Sequence, residues 1–342
     1  MDSTFFLVVT IIIVALAFDY INGFHDAANS IATIVATRVL TPGQAVAWAG
    51  FWNFAAVFLV TTGVAKTVGK GMVDLKFVTP YVILGGLIGA IVWNLFTWYI
   101  GLPTSSSHAL LAGYGGAAMA KVAMVYGVSH MFEALVISGW VQTLIFIVVA
   151  PVVGMFLAAL LMVIVYWSFR KATPAKMDRW FRKLQLVSAA IFSISHGSND
   201  AQKTMGIITG VLVSAHYIDV FVVPTWVMVA AYVAIGAGTM SGGWRIVRTM
   251  GGRLTRLKPR GGFCAETAAA ISILIPTYLH MPVSTTHVIA GAIAGVGSIQ
   301  RLKAVRWGLA TNILWAWVLT IPACAAVGAI TMVIISLFTD KI

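Results

Sequence analysis

Charge is what this sequence has least of. Of its 342 residues only 9% are charged, and 10 are acidic. Cysteine is almost missing too. Cys264 and Cys324 both sit in apolar surroundings, which excludes a disulfide scaffold or thiolate metal centre and reads as two small core residues. The opening Met-Asp-Ser-Thr has no basic flank, so it does not read as a signal peptide, and the first helix is expected to be retained. What fills the chain instead is apolar: 60% hydrophobic residues and a mean hydropathy of +0.95. Several runs exceed the ~18 residues that mark a membrane helix. The fold class that follows is an all-α polytopic membrane protein, with the lipid bilayer as its first partner. The net charge of +12 does not indicate nucleic acid. The basic residues lie in short loops between apolar runs, where they act as topology signals.

One stretch breaks the apolar rule. Residues 18–37 carry Asn22, His25, Asp26 and Asn29 around Gly23. An ionisable group at mid-bilayer costs at least ~2.5–3.5 kcal/mol unless a partner or a wet cavity receives it. The polar set around Gly23 therefore predicts a helix that breaks to expose ligands. Asp19, one turn before Asn22, is read as facing that break or the surface. The stretch recurs at 192–210, where Phe18 matches Phe192, Gly23 matches Gly197, Asp26 matches Asp200 and Ala27 matches Ala201.

A second motif is duplicated in the same order. Pro103-Thr-Ser-Ser-Ser-His108 matches Pro282-Val-Ser-Thr-Thr-His287, and each follows an apolar run and precedes a Gly/Ala-rich one. Two motifs repeated in order make the chain a tandem duplication: a first repeat at 1–169, a basic loop at 170–183 as linker, and a second repeat at 184–342. With each hydroxyl motif taken as the tip of a re-entrant hairpin, Arg38 and the basic groups at 170–183, 245–260 and 301–306 fall on one side. Together they hold 16 of the 22 Lys and Arg residues. That side is expected to be cytoplasmic, leaving both termini outside. The two halves then have opposite orientation, an inverted-topology repeat with broken helices and two re-entrant helical hairpins. Pro151 and Pro322 interrupt the longest apolar runs and are expected to kink them.

The motifs imply a chemistry. Ser105, Ser106, Ser107, Ser284, Thr285 and Thr286 offer six hydroxyls at two turns, where free backbone N–H groups and helix N-termini favour a tetrahedral anion. Capping requires one hydroxyl, not three. Pro103 and Pro282 suit the first turn of the following helix. His108 and His287 either help to neutralise the anion or relay protons, or only fix the hairpin by bonding a neighbouring helix. Asp26 and Asp200, with Asn22 and Asn29, supply hard oxygen ligands for sodium or a small divalent ion. No resident cofactor is expected. Oxygen ligands beside anion donors describe symport, in which the driving ion offsets the substrate's charge. Glu133 and Glu266, near segment ends, read as structural. A permease for sulfate or another oxyanion, an intramembrane serine hydrolase built from Ser, His and Asp, and a passive channel are the alternatives. Duplication of both motifs argues against a single nucleophile.

The paired Gly-x-x-Asp and Pro-x-Ser-x-x-His motifs and the duplicated layout resemble the PiT family of inorganic phosphate transporters along essentially the whole chain. The bacterial low-affinity members are especially similar in Ile-Asn-Gly-Phe-His-Asp (21–26), Trp-Asn-Leu-Phe-Thr-Trp-Tyr (93–99) and Met-Pro-Val-Ser-Thr-Thr-His (281–287). The resemblance implies symport of inorganic phosphate with protons or sodium, in the bacterial branch as a metal–phosphate complex. It also implies a homodimer in the bacterial plasma (inner) membrane. Sodium-coupled members carry Gly-Ala-Asn-Asp-Val-Ala-Asn-Ala in both halves. Here His25 replaces the first Asn of copy one and Lys203 the last Asn of copy two, so Asn29 and Lys203 are equivalent positions. An ammonium at a ligand position is a tethered cation that competes with sodium for Asp200. The expectation is proton coupling through Asn22, His25, Asp26, Asn29, Asn199, Asp200 and Gln202, with Lys203 joining the hydroxyls around the substrate.

Overall fold

The computed structural model describes residues 3–59 and 61–339, all as helices, turns and loops apart from one isolated β-bridge between Val73 and Leu135. The extreme termini, on which the expectation about their side bears, lie outside the described residues. The helices are α1 (Ser3–Ala36), α2 (Pro42–Ala55), α3 (Gly63–Lys70), α4 (Pro80–Ile100), α5 (Ser106–Tyr126) and α6 (Ile137–Ser168), then α7 (Pro174–Ser214), α8 (Thr225–Ser241), α9 (Trp244–Val247), α10 (Pro259–Tyr278), α11 (Thr285–Gln300) and α12 (Trp307–Ser336). Among the described residues, five helices are long and apolar enough to cross a membrane: α1 from Thr4, α4, α5, α6 and α12.

The outer helices show why. On α6, Val141, Leu144, Ile145, Val148, Val152 and Phe156 are exposed, while Ala150, Gly154 and Ala158 are buried. A helix that exposes its large apolar side chains and buries its small ones is built for lipid outside and close backbone approach inside. α12 repeats the pattern, exposing Leu314, Trp315, Val318 and Leu319 while burying Thr320, Cys324 and Gly328. Pro151 and Pro322 both lie inside helices that continue through them.

The helices of the two halves of the chain interleave. α1 lies on α8 and α7 on α2; α5 lies on α12 and α11 on α6. Each helix of one repeat therefore packs on the other repeat. Both hydrophobic cores are mixed in the same way: one joins Phe18, Ile83 and Leu110 to Ile208 and Tyr232, the other joins Ile31 and Met162 to Phe192, Ile273 and Ile289. Helices from the two halves of the chain are entwined in space.

Two local expectations are corrected. α1 and α7 run unbroken through Gly23 and Gly197. The glycines serve packing: a Cβ on Gly23 would strike the backbone carbonyl of Ile235 in α8, and one on Gly197 the backbone of Asn53 in α2. The polar residues need no break because α1 and α7 bury them against each other. Nor is 170–183 a loop. Thr173 caps α7 through the backbone N–H of Lys176, Pro174 takes the first turn, and the basic run continues as helix from there.

The hydroxyl motifs do sit between paired helices. α4 ends at Gly101, whose φ of 74° turns the chain, and α10 is followed by His280 at φ 63°. Extended segments then lead to Ser105 and Ser284, which cap α5 and α11. Pro103 and Pro282 precede these caps and are not in the first turns. A missing N–H is harmless in an extended segment as well.

Candidate functional site

α1 and α7 cross as antiparallel neighbours, each with a polar stripe facing the other. At one end Thr37 Oγ1 donates to Gln185 Oε1 at 2.8 Å. Further along, Glu266 of α10 accepts from Thr33 (2.6 Å), Gln185 (2.9 Å) and Ser188 (2.5 Å). Asp26 and Asp200 occupy the middle. The run 33, 37 on α1 thus meets 188, 185 on α7, the order two opposed helices require.

The middle is where both hairpin tips arrive. Asp26 accepts from Ser106 at 3.3 Å and from Thr286 at 3.4 Å, one hydroxyl from each repeat. Asp200 accepts from Thr285 at 3.2 Å. Asn29 Nδ2 donates to Thr286 at 2.9 Å and Thr285 at 3.4 Å. Its counterpart Lys203 reaches the opposite tip, donating to Ser107, to Asp200 Oδ1 at 2.5 Å and to the Val283 carbonyl at 2.9 Å. Those three acceptors use all three ammonium protons. Every one of these side chains is buried. Such a buried charge pair holds only where hydrogen bonds complete it, as they do here.

The six hydroxyls divide by role. Ser105 accepts from the backbone N–H of His108 at 3.2 Å, and Ser284 from that of His287 at 3.3 Å; these two are helix caps. Ser106, Ser107, Thr285 and Thr286 face the carboxylates and the ammonium. His25 bonds Asp26 at 2.6 Å and Thr97 at 3.1 Å, and Thr104 donates to Thr97 at 3.0 Å. In the other repeat Asn199 donates to Thr277 at 2.8 Å and accepts from the Val283 N–H at 3.4 Å, steadying the second tip. Gln202 stands apart from this cluster. Its amide is spent on the Val64 N–H (3.0 Å) and the Ser198 carbonyl (2.6 Å), which pins α3 to α7. Asn22 makes no hydrogen bond through Oδ1. His108 and His287 meet edge to face at 4.9 Å, and His287 stacks on Trp317 at 3.7 Å, with Trp317 donating to the Pro103 carbonyl at 3.0 Å. The two histidines thus join the tips to each other and to α12.

His196, counterpart of Asn22, was not singled out from the sequence. Its Nδ1 lies 3.0 Å from Asn53 Oδ1, while Asn53 Nδ2 donates to Thr239 at 3.1 Å. That orientation makes Nδ1 the donor and leaves Nε2 facing Asp200 Oδ2 at 3.1 Å. The ring nitrogen and the carboxylate oxygen are close enough to share a proton or a cation between them. Ligand atoms of Asp26, His196 and Asp200 all lie within 4.8 Å of one another. The signal in the sequence was the register set by Gly23 and Gly197, which carries Asn22 onto His196.

Residues 22–328 match the model of a phosphate transporter family. The chain belongs to that family. A probable low-affinity inorganic phosphate transporter of Rhizobium meliloti is 52% identical over 333 residues, covering 96% of this chain and 97% of the relative. One of the same description from Bacillus subtilis is 43% identical over 345 residues, 98% of this chain and 99% of its own. Among solved structures, one described as the sodium-dependent phosphate transporter superposes with a TM-score of 0.87 at 23% identity, covering 97% of this chain and 100% of that one, a likeness of fold. A member of the phosphate transporter family is a membrane transporter and not an enzyme, so the serine-hydrolase alternative is dropped.

Glu266 also departs from its expected place near a segment end. It is fully buried in α10 with three donors and no cation on it. Glu266→Leu leaves those donors buried and unpaired, at about 1–3 kcal/mol each, whereas Glu266→Gln keeps an acceptor. Thermal unfolding of the detergent-solubilised transporter should place the Leu variant well below the Gln variant. Equal melting temperatures would show the cluster to be neutral.

Proposed function

We propose that this transporter is a symporter that moves inorganic phosphate together with protons. The observation that carries the reading is the convergence of Ser106, Ser107, Thr285 and Thr286 on Asp26, Asp200 and Lys203, with hydroxyls of both repeats meeting carboxylates of both. Phosphate enters as an oxyanion and takes hydroxyl donors now turned to the carboxylates. Lys203, already buried on Asp200, supplies the positive charge that a sodium ion gives elsewhere, and the His25–Asp26 pair carries a proton. We further infer a tandem duplication, 1–169 and 184–342 about a boundary at 170–183, inserted with opposite orientations. Both termini then lie outside a bacterial inner membrane, and two copies form the working dimer.

A second reading of the cargo has its own support. The cluster of Asp26, His196 and Asp200, whose ligand atoms all lie within 4.8 Å of one another, suits a divalent metal travelling with phosphate. The test is labelled phosphate uptake into proteoliposomes with proton, sodium and divalent-metal gradients imposed one at a time. Accumulation under a proton gradient without sodium is the expected result. A strict sodium requirement, insensitive to the proton gradient, would end the proton reading. Stimulation by a divalent ion, with that ion entering alongside phosphate, establishes the complex as cargo. Failure to accumulate under any gradient would mean a passive channel.

A further inference from the structure

Two recesses outside the polar core share a wall. The first is an apolar groove of about 360 Å³ among α6, α11 and α12. Its floor is made of small residues, Ala290, Gly291 and Ala294 of α11, set between Pro151 of α6 and Ile313 of α12. A Cβ on Gly291 would strike the Pro151 carbonyl, so α6 and α11 meet there. The rim is open, with Val148, Val152, Leu314 and Val318 exposed. Along α12 the lining runs from Trp307 to Val318. At 1.5 Å per residue that is about 16 Å, close to the ~15 Å of hydrocarbon in one leaflet.

The second recess, of about 200 Å³, is lined by Arg253, Arg256, Lys303 and Arg306 with Thr255 and Gln300. All four cations are exposed, and among the described residues no acid forms an ion pair with any of them. A cleft lined by one sign of charge concentrates ions of the other sign. The Nε2 of Gln300 adds a buried donor without a hydrogen-bond partner. Two chain segments join the recesses. Leu254 and Trp307 line the groove, while their neighbours Arg253, Thr255 and Arg306 line the basic recess. The segments are tied together: the Arg306 N–H donates to the Leu254 carbonyl at 3.0 Å, and Thr255 Oγ1 to the Ala304 carbonyl at 3.2 Å. Trp307, a residue type favoured at the membrane interface, is fixed at the junction by donating from Nε1 to the Leu302 carbonyl at 2.8 Å.

We propose that the joined recesses bind one anionic phospholipid, its acyl chain in the groove and its phosphate on the basic cluster. Basic pockets between membrane helices select anionic head groups. The groove beside the cluster sets the source of that phosphate as a lipid, since a free anion has no use for an apolar wall one leaflet deep. The position also lets the lipid act on transport. The groove is floored by α11, whose first residues Thr285 and Thr286 bond the two aspartates. It is walled by Trp317, which stacks on His287 at 3.7 Å. A seated acyl chain packs against the back of that hairpin helix and steadies its tip. Binding stands on this geometry alone; only the effect on uptake rests on phosphate as the cargo.

The experiment measures binding of labelled phosphatidylglycerol and phosphatidylcholine to the solubilised transporter, with and without excess inorganic phosphate. Wild type is compared with the double variant Lys303→Gln/Arg306→Gln, whose positions are exposed, and with Ala310→Phe, which fills the groove from a half-buried lining position. Wild type should prefer phosphatidylglycerol, the double variant should lose that preference by roughly tenfold, and Ala310→Phe should weaken binding of phosphatidylglycerol. In proteoliposomes of phosphatidylcholine, added phosphatidylglycerol should speed wild-type phosphate uptake and leave the double variant unchanged. Equal binding of the two lipids by wild type would overturn the proposal. So would displacement of phosphatidylglycerol by inorganic phosphate with Ala310→Phe indifferent, which marks a pocket for the free anion. A change from dimer to monomer in Ala310→Phe, with phosphatidylglycerol binding intact, would overturn it too, because the groove would then be an interface between copies. Uptake indifferent to a lipid that binds as expected would keep the site and overturn its part in transport.

Discussion

Lys203→Asn should abolish proton-driven phosphate uptake and make what remains depend on sodium. The substitution copies Asn29, the residue at the matching position of the first stretch, and restores the asparagine that the resemblance to sodium-coupled PiT members implies there. In the structure Lys203 is the fixed cation on Asp200, and its other bonds tie Ser107 and the Val283 carbonyl. Removing one partner of a buried ion pair costs about 3–5 kcal/mol, because the other charge is left uncompensated. At 1.4 kcal/mol per decade, that is at least about a hundredfold in the population of any state that needs Asp200 ionised. Asparagine adds an oxygen ligand, and external sodium can then take the vacated charge. Lys203→Met removes the charge without adding a ligand, so sodium should not rescue it. Uptake measured against sodium concentration separates the two. Equal responses of both variants to sodium would show that Lys203 only braces the tips, with no part in coupling.

Much of this site was legible because it was written twice. A glycine and an aspartate three residues on, repeated in a second stretch, set a register that makes Asn29 and Lys203 equivalent positions. The hydroxyl turns were visible for the same reason. What the repeat could not show was which chain would face which. That Lys203 of the second repeat reaches Ser107 of the first, while Asn29 of the first reaches Thr285 and Thr286 of the second, follows from how the repeats are entwined. Gly23 misled for a physical reason: a glycine amid polar residues reads as a break, yet here it lets α8 approach α1 closely. The burial of Glu266 and Asp19 is not legible from the repeat, because neither has a charged mate in the other half. Each is buried by helices that arrive from distant parts of the chain.

Asp26→Asn should erase discrimination between phosphate and sulfate. Both are tetrahedral oxyanions, and hydroxyls with backbone donors bind them alike. Near neutral pH phosphate keeps a P–OH group and sulfate does not. A carboxylate aimed at the bound anion accepts from P–OH and repels a fully ionised oxygen. Asp26 is placed for this, since Ser106 and Thr286, from opposite tips, converge on its two oxygens. A hydrogen bond to a charged group contributes about 1.5–3 kcal/mol, so the preference for phosphate should fall roughly ten- to a hundredfold. Asparagine can donate to an ionised oxygen, which removes the repulsion as well. Displacement of labelled phosphate by sulfate, measured as binding to the solubilised protein, reads this without requiring transport. The paired variant Asp200→Asn is the control. Its carboxylate is held by Lys203 and faces His196, so its loss should weaken binding of both anions together. Sulfate gaining ground in Asp200→Asn but not in Asp26→Asn would assign the reading of the P–OH group to the second repeat. No gain in either would mean that the hydroxyls and the shape of the chamber choose the substrate, and the carboxylates serve the cation alone.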